Sequence, residues 1–190
     1  MKMTFRHYGP GDPVTLDRIR QIPRMTGIVS AVYDVAPGGV WSRESIAAIR
    51  DDAAAHGLEF EVVESVPVPE DIKLGSEKAP ALIENYCENV RRLGEAGVKC
   101  ICYNFMPVFD WLRSELAHPQ ADGANALAYD EQTVLRMDPA TSELSLPGWD
   151  QSYTKEGLRD LLAAYRDIDE ERLFDNLAVF LRAVIPVAEQ

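Results

Sequence analysis

Four apolar runs in this chain end in groups able to hold or carry out chemistry. They end at His7-Tyr8, at Tyr33-Asp34, at Glu64-Ser65 with the loop running on to Lys73, and at Tyr103-Asn104 with Asp110-Trp111 beyond. These ends combine one His, three Tyr, one Asn, one Trp and several carboxylates. Aromatic rings stack on C–H faces, and Asn, Asp and Glu exchange hydrogen bonds with hydroxyls. The set therefore suits a small polyhydroxylated molecule. Glu64 stands among apolar residues, where burying a carboxylate is costly unless it is paired or ligating. Asn104 closes the run Cys100-Ile101-Cys102-Tyr103 and either meets a ligand or satisfies nearby backbone groups. His7 fits a ligand contact or a solvated or core-satisfied histidine. Asp71 and Lys73 fit a contact or a solvated loop, and Asp110 fits a contact or a helix cap. The candidate substrate-binding residues are His7, Tyr8, Glu64, Asp71, Lys73, Asn104, Asp110 and Trp111, with no catalytic residue singled out.

Other chemistries find no footing. There is no glycine-rich phosphate loop, no P-loop and no serine nucleophile elbow. His7, His56 and His118 are scattered, with no two at metal-ligand spacing. Cys100 and Cys102 point the same way on a strand but lack a second pair or a nearby His to complete a site. With Cys87 they read as small buried core residues rather than a disulfide framework. The chain carries 19 basic and 31 acidic residues, a net charge of -12. A field of that sign repels nucleic-acid backbones and anionic membranes, yet a local cationic pocket or a metal can still admit a small anion. The start, Met1 to Arg6, has no apolar signal region, and no apolar run is long enough to span a bilayer, so the expected compartment is the cytoplasm.

Strand and helix patterns alternate so as to place those four ends together. Strands are expected at Thr4 to Tyr8, Gly27 to Tyr33, Leu58 to Val66 and Val98 to Phe105. Helices are expected at Thr15 to Gln21, Arg43 to His56 with Ser42 as cap, and Ala79 to Ala96 with Leu82, Ile83, Tyr86, Val90 and Leu93 on one face. Residues 67–73 read as a long polar loop. The three glycines Gly27, Gly57 and Gly97 each precede an apolar run, which reads as a repeated helix-to-strand junction. The segment from His118 to Asp150, with turn signals at Asp122-Gly123 and Pro147-Gly148, reads as a hairpin or surface excursion. Helices resume near Tyr153-Thr154 and end with Glu170 to about Val184. The 190 residues make one domain with an irregular insertion at 115–153. Four βα units fall short of the eight that close a barrel, so the pattern is that of a half. Two open sheet edges and half an interior favour association with a second copy or with a partner half.

Three segments carry a resemblance to a known family. Phe5-Arg6-His7-Tyr8-Gly9, Glu64 to Lys73, and Cys102 to Trp111 look like mannonate dehydratase. Asp12-Pro13-Val14, Asn176 to Leu181 and Ile185 to Glu189 match in the same order, so the resemblance spans the whole chain. It implies a (β/α)8 TIM barrel of the xylose-isomerase-like kind, of which this chain holds the amino-terminal half. It also implies dehydration of D-mannonate to 2-keto-3-deoxy-D-gluconate in hexuronate breakdown, with a divalent metal such as Mn2+ or Fe2+. Family members continue past Ala188-Glu189 into a His-Pro-Asp-Asp-Pro-type strand and further His, Cys and Asp positions that hold the metal, so no metal ligand transfers to this chain. Two positions depart from the family's pattern: His7 stands where Trp is usual, and Pro69 where His is usual. The resemblance thus implies a hydro-lyase whose chemistry this chain alone does not complete. The competing reading is a truncated, non-catalytic half-barrel that self-associates or binds a sugar acid.

Overall fold

Strand-forming runs at the amino terminus alternate with amphipathic helices, and each strand lies parallel to the one before it. The structure, a computed structural model, describes residues 1–109, 112–136 and 153–190. The elements in order are β1 (Met3–Arg6), α1 (Leu16–Ile19), β2 (Met25–Ser30), α2 (Arg43–Ala55), β3 (Glu59–Glu64), α3 (Glu70–Leu74), α4 (Ala79–Glu95) and β4 (Cys100–Cys102). There follow β5 (Glu115–Pro119), β6 (Asn125–Ala128), α5 (Glu131–Arg136), α6 (Lys155–Ala164) and α7 (Glu170–Ala188). The chain divides into two compact units, one of residues 1–105 with 173–190 and one of residues 106–172.

The first unit holds a four-stranded sheet in the order β1-β2-β3-β4. All three pairings are parallel, the pairing that strands joined through crossover helices adopt. One sheet face packs on the helices. Ile28, Phe60 and Val63 meet Ile19, Ile46, Ala53, Ile83, Tyr86, Leu93 and Phe180 in one apolar cluster. Burying such side chains contributes about 1.5–3 kcal/mol each and is the main force holding sheet to helices.

Local chemistry explains where the helices begin and end. The Ser42 hydroxyl accepts from the Ser45 amide at 3.0 Å and caps α2. Gly57 adopts φ +71°, which lets the Leu58 amide bond back to Ala53 at 3.0 Å and turn the chain into β3. Gly97 repeats the device at φ +88°, with the Val98 amide on Leu93. Gly27, expected to be a third such junction, instead lies inside β2. A Cβ there would meet the Glu59 carbonyl oxygen at 2.5 Å and the Glu61 Cγ at 2.6 Å, so close approach of β3 is what requires glycine.

A register shift shapes β3. Ile28 pairs with Phe60, but Val29 pairs with Val62, and Glu61 is skipped. The bulge inverts the side-chain alternation. Phe60 and Val63, three apart, both enter the helix-side cluster. Glu61 and Glu64 both turn to the other face, where Lys2 and Arg6 meet them.

Asn89 stitches the loop before α2 to α4. Its Oδ1 accepts from the Trp41 amide at 2.7 Å, and its Nδ2 donates to the Gly39 carbonyl at 3.0 Å. With Arg92 donating to the Trp41 carbonyl at 2.7 Å, this holds the buried Trp41 against the core.

Several sequence expectations need correction. Residues 70–74 form the short helix α3 rather than a loop. β4 spans three residues, and the run expected to extend to Phe105 leaves the ladder after Cys102. Cys100 is exposed and Cys102 only half buried, because they lie on the sheet face away from the helices; Cys87 alone of the three is buried. α7 continues through Pro186 to Ala188, past the expected end at Val184, giving up the hydrogen bond that a proline nitrogen cannot donate.

In the second unit β5 and β6 form an antiparallel hairpin. Asp122 accepts from the Ala124 amide at 3.0 Å, and Gly123 takes φ +85°, as the sequence signal at this turn indicates. Val108 and Leu158 centre a small cluster with Leu161, Leu162 and Tyr153. Thr154 caps α6, where helices were expected to resume. Pro147-Gly148 lies outside the described residues. Among the described residues, no helix is long and apolar enough to cross a membrane.

Candidate functional site

The carboxyl ends of parallel strands are where α/β folds place ligand-facing side chains. In this sheet they gather a cationic and aromatic cluster. Arg6, at the end of β1, forms an ion pair with Glu64 at the end of β3, 2.7 Å apart. Its guanidinium carbon lies 4.7 Å from the centre of the Tyr8 ring, a cation–π contact. Tyr8 and Tyr33 are neighbours at 6.0 Å between ring centres. Both tyrosines are exposed. Burial of the Arg6 guanidinium works against its charge, but Tyr33, Glu64 and Tyr8 together outweigh it and hold its pKa above the ordinary value. The Arg6 Nε–H is enclosed and meets no acceptor among the described residues.

Strand geometry puts these groups together. Arg6 and Tyr8 are two residues apart and share a face. The bulge at Glu61 brings Glu64 to that same face. Glu64 was expected to be a buried carboxylate; its side chain is instead 52% exposed, and its pairing with Arg6 rests on surface electrostatics more than on burial.

His7 points the other way and is buried. Its carbonyl accepts from the Ser30 hydroxyl at 2.7 Å and from the Tyr33 hydroxyl at 3.4 Å. His7 thus anchors the rim through its backbone. Asp12 fixes the turn that carries Tyr8, accepting from the Tyr8 and Val14 amides, each at 2.8 Å. Those two backbone donors lower the Asp12 pKa below its ordinary 3.8. Its stabilising contribution is complete above pH 3.8 and is lost as pH falls through the lower folded value. On acid titration the Tyr8 and Val14 amide resonances are expected to move together, with a midpoint below 3.8. A midpoint above that value would contradict the Asp12 clamp.

The remaining expected residues fall elsewhere. Asp71 is the acceptor for the Ser76 hydroxyl at 2.7 Å, and Lys73 is buried with its ammonium 2.7 Å from Glu70. The Lys73 carbonyl accepts from Asn176 of α7 at 2.8 Å, so this segment docks α3 on α7. Asn104 is exposed just beyond β4. Tyr103 and Phe105 flank it and pack on Phe180 at 5.7 and 5.8 Å between ring centres. Asp110 and Trp111 lie outside the described residues. Of the expected set, the structure joins Tyr8 and Glu64 in one cluster. Arg6 and Asp12 lie in the same cluster and are not among the expected residues, although the two-residue spacing of Arg6 and Tyr8 is a legible signal.

Nucleophilic and metal chemistry have little support in this cluster. Burial pushes the Cys102 thiol up, with Cys100 and Glu64 adding to the effect, which disfavours a thiolate. Among the described residues, no three His, Cys, Asp or Glu side chains converge as a metal site requires. The described residues therefore do not fit a Mn2+ or Fe2+ centre.

The chain as a whole is similar to known proteins. The family model for D-mannonate dehydratase (UxuA) matches residues 1–190. The mannonate dehydratase of Streptococcus uberis is 53% identical over 189 residues, covering 100% of this chain and 54% of the relative. Mannonate dehydratase 2 of Halalkalibacterium halodurans is 52% identical over 190 residues, covering 100% of this chain and 55% of the relative. The crystal structure of mannonate dehydratase from Streptococcus suis serotype 2 superposes with a TM-score of 0.89 at 45% identity, over 100% of this chain and 50% of that one. The chain spans about half the length of the curated relatives it matches. Its four parallel βα units are the half-barrel that the sequence pattern indicates. From its first residue to its last, the chain belongs to the D-mannonate dehydratase family.

Proposed function

We propose that this chain is the substrate-facing, amino-terminal half of a cytoplasmic hydro-lyase that converts D-mannonate to 2-keto-3-deoxy-D-gluconate in hexuronate breakdown. The observation that carries the reading is the Arg6–Tyr8–Tyr33–Glu64 cluster at the carboxyl ends of the strands. A hexonate is an anion with a chain of hydroxyls. In a protein of net charge -12 it needs a local cation, and Arg6 supplies one at the rim. Arginine presents five N–H donors, so the guanidinium can keep Glu64 and still address a carboxylate. Glu64 and Asn104 offer hydrogen-bond partners to hydroxyls, and Tyr8 and Tyr33 offer faces to the carbon chain. These groups bind and orient. A divalent ion such as Mn2+ or Fe2+, with the proton transfers of the dehydration, is assigned to residues outside those described here.

An assay of product formation tests this. The purified chain with Mn2+ and D-mannonate is expected to yield no 2-keto-3-deoxy product. The same chain assembled with the unmatched portion of the Streptococcus uberis enzyme is expected to yield it. Activity of the chain alone would overturn the division of labour. Inactivity of a correctly assembled pair would favour a non-catalytic half-barrel.

A further inference from the structure

One peptide unit carries the rim of the cluster, and three side chains hold it. It is the plane that joins His7 to Tyr8. β1 pairs with β2 as far as Arg6, opposite Val29, and the His7 amide adds a last rung by donating to the Val29 carbonyl at 2.9 Å. A parallel ladder would continue with a backbone amide on the His7 carbonyl. Two hydroxyls take that place instead: Ser30 donates at 2.7 Å and Tyr33 at 3.4 Å. At the other edge of the same plane, the Tyr8 amide donates to Asp12 Oδ2 at 2.8 Å. Ser30 is 1% exposed, and desolvating a hydroxyl is unfavourable unless it is bonded. An alanine would pack there without that cost. It would leave the His7 carbonyl only the longer bond from Tyr33.

We infer that Ser30 is a positioning residue for the anion-facing rim: through the His7 carbonyl it sets the directions in which Arg6 and Tyr8 leave the backbone. This rests on the reading of Arg6 as the anchor of a hexonate carboxylate. The rim depends on those directions at close range. The Arg6 guanidinium carbon sits 4.7 Å from the centre of the Tyr8 ring, and the Tyr8 and Tyr33 rings are 6.0 Å apart. The Tyr33 hydroxyl that shares the His7 carbonyl also lies against the Arg6 guanidinium and favours its charge. Beyond Tyr8 the chain leaves the sheet and turns at Gly9, with φ +94°, so the hold on this plane comes from side chains. A rotated plane would swing Tyr8 off Arg6 and uncover the Arg6 Nε–H, which is now enclosed. Ser30 acts without touching the ligand, since it is buried and its hydroxyl donates to the backbone.

The test uses the purified, isotope-labelled 190-residue chain. One readout is hydrogen exchange at the Arg6 Nε–H without ligand; the other is the dissociation constant of D-mannonate by titration. Exchange of the α4 amides reports the fold as a whole. Ser30→Ala is expected to speed Arg6 Nε–H exchange and weaken D-mannonate binding, each by about three- to tenfold, the equivalent of one lost hydrogen bond. The α4 amides are expected to stay unchanged. Ser30→Thr keeps the hydroxyl and is expected to restore both values. Tyr33→Phe removes the second hydroxyl at a half-exposed position, where the fold tolerates it, and is expected to move both readouts the same way. Arg6 exchange and D-mannonate binding that ignore Ser30→Ala would overturn the inference. So would a loss that spreads to α4, or one that a folded Ser30→Thr chain does not repair. An unaltered chain that binds no D-mannonate would count against the proposed function instead. Faster Arg6 exchange confined to Ser30→Ala would then still uphold the positioning.

Discussion

Replacing Phe180 by alanine is expected to destabilise the first unit by about 3–5 kcal/mol, the usual cost of removing a large aromatic side chain from a packed interior. Phe180 is 0% exposed. It meets the Tyr86 ring edge-on at 4.9 Å between centres, and Tyr103 and Phe105 close the same cluster. The substitution removes three aromatic contacts and leaves a void between α4, α7 and the end of β4. Burial already holds the Tyr86 phenol far above its ordinary pKa, so water entering that void would also change how Tyr86 titrates. Because the chain has two compact units, whole-protein unfolding is not the right measure. Hydrogen exchange of the α4 amides in increasing denaturant isolates the first unit. Phe180→Leu keeps most of the apolar volume and is expected to cost about 1 kcal/mol. Equal losses for the two variants would mean that aromatic packing is not what holds α7 to α4.

Arg6→Ala is expected to lower kcat/KM of the assembled enzyme by about 10- to 150-fold, the equivalent of a lost charge-assisted hydrogen bond of about 1.5–3 kcal/mol. The loss is expected mainly in KM if Arg6 holds the carboxylate equally in the ground and transition states. Stability changes little, because the pair with Glu64 is half exposed and such pairs contribute about 0–1 kcal/mol. Arg6→Lys keeps the charge and loses the planar fork, so partial recovery is expected. The measurement is steady-state kinetics on the assembled enzyme beside thermal unfolding of each variant. Unchanged kinetics with a folded Arg6→Ala protein would reduce Arg6 to a tie between β1 and β3.

The elements legible in the sequence are those whose signals are local. Ser42, Gly57 and Gly97 mark helix boundaries by capping chemistry, and the structure keeps them. The apolar stripe of α4 is long enough for its period to be unambiguous. α3 is only five residues long, too short for periodicity to speak, and follows a proline-rich stretch that reads as loop. The last helix was expected to end at about Val184 and instead runs through Pro186 to Ala188, because a proline near the last turn removes a single hydrogen bond and the helix absorbs it. The site was half visible. Tyr8 and Glu64 stood at strand ends where ligand contacts gather. The partner of Glu64 was hidden, because whether Arg6 and Glu64 share a face depends on a bulge two strands away from β1, which leaves no mark in composition. Lys73 looked like a loop cation until Glu70 and Asn176 gave it a structural place.

The skipped residue Glu61 gives β3 something like a reading frame. Upstream of it, one set of alternate positions faces the helices; downstream, the other set does. Deleting a single residue between Phe60 and Val63 would remove the bulge and leave Val63 and Glu64 on their present faces. Inserting a single residue there would send Glu64 toward the apolar core, uncoupling it from Arg6. Two residues inserted together would preserve the frame. When this family is compared across divergent members, gap placement around Glu61 therefore decides which carboxylates are counted as interior, and a one-position error there exchanges lining for core along the rest of the strand.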